Sequence, residues 1–416
     1  MNLRQDEPQL ARRGKWIAIS FAFLATVINY LDRQTLSVMA PVLLVKFHIS
    51  AERYSHIIFA FMLAYTIMNG TAGLLLDRLG TKLGYGLTIA FWSAMEILHA
   101  FSKGALSLGV FRFLLGIGEA GNYPAGVKLI AEWFPADERS LASGIFNSGA
   151  SIGAILAPPL IAFTALAMGW QAGFVIVGLL GFLWLIAWAI FYRAPLIAPR
   201  KEEPQHTVPF RVLIHSKFLW RFTLSKVLSD PVWYFYTFWI PQYLRSAHGF
   251  SLRQIGETAW IPFMSAAIGN IAGGAVFMVL LHFKIASATA RRIAILLFSM
   301  LMACAVFVGN GSATECIVLI SLAAFGYSGM LANLLALPGD VFPATAVASL
   351  WGFASMGSGL GGMIFALITG WMIDRYTYQP VFILFGIIPL VAAWLVWTLP
   401  RKEDLEFHPS GGSPVT

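Results

Sequence analysis

Residues Phe111 to Gly126 read FRFLLGIGEAGNYPAG, and this stretch decides how the rest of the chain is read. Arg112 and Glu119 stand seven residues apart in an otherwise apolar segment. Two turns of α-helix return both side chains to one face, about 10 Å apart along the axis. Ionisable groups are costly in hydrocarbon and face a bundle interior or an aqueous cavity, so the pair reads as a polar site inside a membrane protein. The plainer alternative is an internal salt bridge that only locks two helices. Gly116, Gly118 and Gly121 permit this segment to approach its neighbours closely, and Pro124 permits a bend.

Composition supports that class. Of 416 residues, 58% are apolar and 12% charged, with a mean hydropathy of +0.73, against roughly 25% charged in soluble domains. The net charge of +8 is spread over short loops between apolar spans, which fits membrane orientation rather than nucleic-acid binding. Cys304 and Cys316, the only cysteines, lie in or beside apolar segments, so neither a disulfide framework nor a metal cluster is implied, and nothing calls for a cofactor. The N-terminus lacks the short apolar core and small-residue cleavage site of a secretory signal, so the first helix is expected to stay in the mature protein.

Spans of about 20 apolar residues are long enough to cross a bilayer, and twelve are expected: 16–38, 54–76, 83–101, 106–131, 141–165, 172–192, 219–243, 255–281, 293–308, 316–337, 347–371 and 381–399. The predicted fold is an all-α membrane protein of twelve transmembrane helices in two six-helix halves. Residues 1–15 form a cytoplasmic N-terminus, 16–192 one bundle, 193–217 a linker, 218–400 the second bundle and 401–416 a disordered tail. The linker carries Pro195, Pro199, Pro204 and Pro209 among charges of both signs. Loops on one side of the twelve spans, counted with Arg221 at the edge of the seventh span, carry 18 of the 28 Lys and Arg residues and those on the other side 6. The positive-inside rule makes the richer side, with both termini and the linker, cytoplasmic.

The first span holds NYLDRQTLSVMAP, Asn29 to Pro41, with Asp32 and Arg33 near its middle. Adjacent helix residues point about 100° apart, so these two do not pair only with each other. Tyr30 and Thr26 lie on roughly the face of Arg33 and Asn29 near that of Asp32, giving a polar stripe. On the second span Tyr65 and Asn69, four apart, either reach the same cavity or have their polar groups satisfied locally. Lys226 and Asp230 in the seventh span are also four apart and pair on one helix face or serve a cavity. Asp230-Pro231 marks a kink. The aromatic run from Trp233 to Trp239 stacks on the ring of a ligand or packs against lipid and protein. Gly352, Gly357, Gly359, Gly361 and Gly362 suit close helix packing in the eleventh span. Glu96 and His99 in the third span have no assigned role.

Between the second and third spans runs GLLLDRLGTKLG, Gly73 to Gly84, whose glycines permit a tight turn and whose Asp77, Arg78 and Lys82 form a charged cluster. This loop resembles the G-x-x-x-D-R-x-G-x-K signature of the major facilitator superfamily. With twelve spans in two halves, the resemblance covers nearly the whole chain and implies pseudo-symmetric halves, with Gly73, Asp77, Arg78, Gly80 and Lys82 as a gating loop. NYLDR, the R-x6-E of the fourth span, EWFPADERSLASGIFNSGASIGAILAPPL (Glu132 to Leu160) and DPVWYFYTFWIPQYL (Asp230 to Leu244) resemble the anion:cation symporter family, and within it bacterial hexuronate and related sugar-acid transporters.

That resemblance implies proton-driven uptake of a sugar carboxylate by alternating access, through a monomer in the lipid bilayer of the bacterial inner membrane. Arg33 and Arg112 fall at the family's anion-binding positions, and Asp32 and Glu119 at its protonatable acids. Tyr30, Tyr65 and Asn147 match polar positions that line its cavity. In the tenth span, FGYSGMLANLLALPGD departs from the hexuronate-like pattern, with only Asn333 and Asp340 recognisable; Asn333 is carried forward as a substrate contact. The loop HFKIASATARR between the eighth and ninth spans keeps basic residues but lacks the acid and glycines of Gly73 to Gly84, so the repeats diverge there.

The chemistry of the residues agrees with the resemblance. A carboxylate entering a low-dielectric cavity needs a fixed cation, and a guanidinium stays charged and grips both oxygens. A coupling acid needs a proton affinity that changes between states: burial raises it and a nearby arginine lowers it. Glu119, two turns from Arg112, has both influences available, and substrate competing for the arginine releases Glu119 to take a proton. A sodium-driven or exchanging carrier of another organic anion or phosphate keeps the same arginines. A non-transporting sensor lacks a sizeable soluble output domain here, and an embedded enzyme lacks any nucleophile–base set, so no enzymatic activity is expected.

Overall fold

The computed structural model describes residues 3–69, 71–135, 137–195, 214–342 and 344–400. The tail and most of the linker therefore lie outside the described residues. In chain order the helices are α1 (Leu3–Lys46), α2 (Ala51–Asn69), α3 (Ala72–His99), α4 (Ala105–Glu119), α5 (Asn122–Trp133), α6 (Arg139–Met168) and α7 (Trp170–Phe191). They continue as α8 (Lys217–His248), α9 (Leu252–Thr258), α10 (Ile261–His282), α11 (Ser287–Met302), α12 (Ala313–Val341), α13 (Ala344–Arg375) and α14 (Gln379–Trp397), with a 3₁₀ helix at Ala303–Asn310 after α11. No strand occurs among the described residues.

Each of the twelve expected spans falls on helix, but not each on a single helix. The fourth span divides into α4 and α5 at Ala120 and Gly121. Pro124 accounts for the break, since it has no N–H to give the Ala120 carbonyl four residues earlier. The eighth divides into α9 and α10, and the ninth finishes in the 3₁₀ turn. Among the described residues, eight helical segments are long and apolar enough to cross a membrane without further argument, and α2 with α3 forms a ninth bent by 72°. The spans that fall short, α4 with α5 and α8, carry Arg112, Glu119, Lys128, Lys226 and Asp230. The first two fall short because the break at Ala120 and Gly121 leaves them 15 and 12 residues long, whereas α8 is 32 residues long and carries Lys226 and Asp230 among its apolar residues.

The chain forms two compact units, one of Met1–Lys201 with Thr237–Trp260 and one of Glu202–Tyr236 with Ile261–Thr416. The seventh span, read from sequence as the start of the second half, is thus shared by both. In the first unit the three glycines of the opening stretch sit at close helix crossings. A Cβ on Gly116 would lie 2.5 Å from the Phe61 carbonyl oxygen, one on Gly118 2.7 Å from the Trp92 Cβ, and one on Gly121 2.5 Å from the Thr88 Cγ2. Both α2 and α3 therefore meet this segment backbone to backbone, which is how the polar residues of several helices come into mutual reach.

The loop after the second span turns differently from the tight hairpin expected of it. Helix α2 stops at Asn69, α3 starts at Ala72, and the chain kinks again at Gly80, where φ is 74° and ψ 163°, a conformation that glycine alone adopts without strain. Asp77 accepts a 2.9 Å bond from Lys128 Nζ, which also donates to the Leu76 carbonyl at 2.9 Å, tying the start of the third span to the end of the fourth. In the second unit Arg291 pairs with Asp340 and lies over the Phe277 ring at 3.9 Å, tying the start of the ninth span to the end of the tenth. The repeats diverge in residue type, as expected, yet keep the same latch with acid and base exchanged.

Candidate functional site

The polar centre of the first unit is built by α1, α2, α3 and α4. Arg33, from α1, donates Nε–H to Glu119 Oε2 on α4 at 2.6 Å, with the Glu119 side chain fully buried and that of Arg33 12% exposed. Arg33 rather than Arg112 is therefore the ion-pair partner of Glu119, which corrects the reading of the R-x6-E spacing as a pair in its own right. The two residues do share one face of α4; helical rise alone keeps them too far apart to touch. Three rings line the Arg33 guanidinium, with Tyr65 4.5 Å, Tyr30 5.2 Å and Phe61 5.6 Å from its carbon. The close crossing at Gly116 is what allows Phe61 and Tyr65 to reach it, because α2 approaches α4 so closely that no room is left for a side chain there.

Arg112 is 2% exposed, yet only its Nη2 is engaged, donating to the Asp32 main-chain carbonyl at 3.3 Å. Its Nε and Nη1 donate to nothing among the described residues. Asp32 is fully buried and its carboxylate accepts no hydrogen bond among them. A guanidinium so placed keeps a two-pronged edge for an anion, and an unpaired buried charge is far too costly to be idle. The arrangement offers one neutralised arginine that a ligand can compete for and one with donors already free.

Sequence reasoning missed a polar thread beside this cluster. Tyr85 on α3 donates to Asn122 Oδ1 at 2.7 Å, Asn122 Nδ2 donates to Thr26 Oγ1 at 3.2 Å, and Thr26 donates to the Ala22 carbonyl at 3.0 Å. Asn122 sits inside the opening stretch, so its position was a signal, but partners scattered over three helices leave no spacing to read.

The remaining expected site residues are placed elsewhere. Asn147 is exposed on α6, while Gly149 and Gly153 of that helix lie against the Phe23 and Val27 carbonyls of α1. In the second unit Asn333 is buried and its Nδ2 donates to the Gly273 and Gly329 carbonyls, each at 3.0 Å. It clamps α10 to α12, and only Oδ1 is left without a partner among the described residues. Lys226 and Asp230 pair at 2.6 Å on one face of α8, as four-residue spacing allows, and Tyr327 donates to Asp230 at 3.2 Å. Trp233 stacks on that tyrosine at 5.4 Å, so this part of the aromatic run packs internally. In the loop region, Asp77 and Gly80 have the latch and kink roles described above, and Lys82 offers its carbonyl to Trp188 Nε1 at 2.9 Å. Gly73 has open space at its Cα, and Arg78 is exposed.

Long apolar helices around a buried, partly neutralised set of arginines and acids define a polytopic membrane transporter. Residues 22–314 and 284–414 match the Major Facilitator Superfamily. The hexuronate transporter of Escherichia coli strain K12 is 33% identical over 417 residues, covering 94% of this chain and 95% of that one. The galacturonate transporter of Dickeya chrysanthemi is 36% identical over 307 residues, covering 69% and 89%. A bacterial homologue of the human lysosomal transporter Spinster, solved inward-facing and occupied, shares the fold at a TM-score of 0.71 and 18% identity over 92% and 95% of the two chains. The chain belongs to the major facilitator superfamily. It is accordingly a transporter and not an enzyme.

Proposed function

We propose that the protein takes up a sugar acid, a hexuronate or aldonate, together with protons by alternating access in the bacterial inner membrane, with both termini cytoplasmic. The observation that carries this reading is the Arg33–Glu119 pair beside Arg112, whose Nε and Nη1 are free. A substrate carboxylate finds a ready fork on Arg112 and competes with Glu119 for Arg33. Once Arg33 turns to substrate, Glu119 is a buried anion without its cation and takes a proton. Asp32, buried and without hydrogen bonds to its carboxylate, is the second acid of the coupling. Tyr30, Tyr65 and Phe61 hold the Arg33 guanidinium and offer ring faces to a sugar. The names of the relatives support the substrate class, and the excess of basic residues on one side supports the orientation.

Purified protein in proteoliposomes tests this with labelled glucuronate, galacturonate, galactonate and glucarate, each with an imposed proton gradient, an imposed sodium gradient or none. Accumulation of one or more of them above equilibrium with the proton gradient alone is expected. Accumulation driven by sodium alone, or exchange with no gradient dependence, overturns the coupling, and uptake of none of the four overturns the substrate class.

A further inference from the structure

Lys226 and Asp230 on α8 are unused by the mechanism so far. Both are buried, 6% and 5% exposed, and Lys226 Nζ is 2.6 Å from Asp230 Oδ2. With Arg292 they make up the buried charged residues of the second unit among those described. Arg292 has a structural use, since its Nη2 donates to the Leu399 and Pro400 carbonyls at 2.9 and 3.2 Å and closes α11 against the end of α14. Lys226 and Asp230 have no use of that kind: both stand on one helix, so their attraction ties α8 to no neighbour. Tyr327 of α12 does reach across, donating to Asp230 Oδ1 at 3.2 Å, but a neutral acceptor would take that bond as well. Well-packed uncharged residues of similar volume often stabilise as much as a buried ion pair, so packing does not account for the charges.

The pair is held in register from several sides. Lys226 Nζ lies over the Trp351 ring of α13, 5.2 Å from its centroid, and that ring is fixed by its Nε1, which donates to the Leu335 carbonyl at 3.1 Å. Asp230 Oδ1 accepts from Tyr327 and, at 3.4 Å, from the Ser229 hydroxyl, while Oδ2 faces Lys226. A carboxylate offers about four lone-pair positions and an ammonium three N–H groups. Among the described residues, Tyr327, Ser229 and Lys226 fill three of the positions on Asp230 and leave one, and Asp230 takes one N–H of Lys226 and leaves two. Each side chain keeps 7% exposure. A charge turned to hydrocarbon is too costly, so that exposure opens on an aqueous space.

These unspent groups specify a kind of ligand. The pair has no net charge, so a further anion drawn to Lys226 is repelled by Asp230. What it suits is a neutral group that gives one hydrogen and accepts another at adjacent atoms. Two neighbouring hydroxyls do this, the first donating to Oδ2 and the second accepting from Nζ, each bond strengthened by the charge on the protein side. We propose that Lys226 and Asp230 form a polyol-reading station lying wholly in the second unit, which binds two adjacent hydroxyl groups of the transported acid. This deepens the sugar-acid reading and rests on it. Because Lys226 and Asp230 already neutralise each other, the station reads the pattern of hydroxyls and leaves the carboxylate to the arginines.

Titration calorimetry of the purified full-length protein with galacturonate, glucuronate and galactonate, and with the full set of monodeoxy forms of each, tests the proposal. A hydrogen bond to a charged group contributes about tenfold in Kd. In the wild type, loss of either of two adjacent hydroxyls is expected to raise Kd about tenfold. The double variant Lys226→Met with Asp230→Asn removes both charges and leaves Tyr327 an acceptor. It should melt near the wild-type temperature, bind the intact acids about a hundredfold more weakly and lose less than about twofold on the same two deletions. Deoxygenation penalties equal to those of the wild type overturn the station, as does a wild type indifferent to every deletion. A wild type that binds none of the three acids overturns the sugar-acid reading itself, so the two failures are distinguishable. Should the double variant not fold, Lys226→Arg keeps the charge and its partner but changes the donor geometry. A severalfold higher Kd for the intact acids with a smaller deoxygenation penalty is then expected, and penalties equal to those of the wild type overturn the proposal.

Discussion

Replacing Glu119 by glutamine removes the negative half of the buried pair with Arg33 while leaving shape and volume nearly unchanged. At the observed 2.6 Å the two groups share a charge-assisted hydrogen bond, with the carboxylate fully buried and the arginine side chain 12% exposed. Breaking a buried pair by removing one partner costs about 3–5 kcal/mol. Arg33 keeps its contacts with the rings of Tyr30, Phe61 and Tyr65 after the change, and cation–π contacts of this kind are worth about 0.5–2 kcal/mol. The amide oxygen also still accepts from Nε, so the expected loss is about 2 kcal/mol. Glu119→Gln should therefore fold and melt at a lower temperature than the wild type. It should exchange labelled for unlabelled substrate across proteoliposomes, since the arginines remain, but fail to accumulate substrate above equilibrium when a proton gradient is imposed. Uphill accumulation at wild-type levels by this variant would refute the assignment of Glu119 as a coupling acid.

Gly116→Ala places a Cβ 2.5 Å from the Phe61 carbonyl oxygen, so α2 must retreat from α4; overpacking of this kind costs about 1–3 kcal/mol, and a lower melting temperature together with a raised substrate Kd is expected. Tyr65→Phe keeps the ring 4.5 Å from the Arg33 guanidinium and should bind substrate nearly as the wild type does. Tyr65→Leu loses about 1 kcal/mol of cation–π contact, a roughly fivefold rise in Kd measured by titration calorimetry. For the latch, Asp77 is 72% exposed at its side chain, so Asp77→Lys should cost less than about 1 kcal/mol of stability while slowing transport. The double variant Asp77→Lys with Lys128→Asp should recover the rate in an uptake assay.

The twelve spans were legible because each bilayer crossing needs its own run of apolar residues, a local signal that no tertiary contact can disguise. The charged residues of the site were legible for the opposite reason, since a charge in such a run is conspicuous. What the sequence could not supply was the pairing. The seven-residue spacing of Arg112 and Glu119 suggested that they belong together, whereas Glu119 takes its partner from α1, 86 residues away. Helical periodicity reports a shared face and says nothing about which neighbour that face meets. Asn333 shows the same gap from the other side: an amide in a membrane helix reads as a ligand group, but a carbonyl exposed by glycine on the adjoining helix, Gly273, makes it a clamp.

The two latches make a related point about repeats. Asp77 with Lys128 and Arg291 with Asp340 join corresponding ends of corresponding spans, but the acid precedes the base in one half and follows it in the other. A Coulomb interaction is symmetric under exchange of its charges, so selection for a tie between two helix ends fixes a pair and leaves its polarity free. Comparing the halves residue by residue finds no acid in HFKIASATARR and reports a lost element, although the interaction is present. Polarity is constrained only where something other than the partner senses the charge. Exposure separates the two cases here: Arg291 and Asp340 are 14% and 20% exposed, while Asp77 stands largely in solvent. The more buried latch is less screened by water and salt, so transport by the wild type should respond to ionic strength mainly through the first-half pair. The double exchange at positions 77 and 128 should keep that salt response while retaining activity, and a response that vanished with the exchange would show that a third group reads the sign of Asp77.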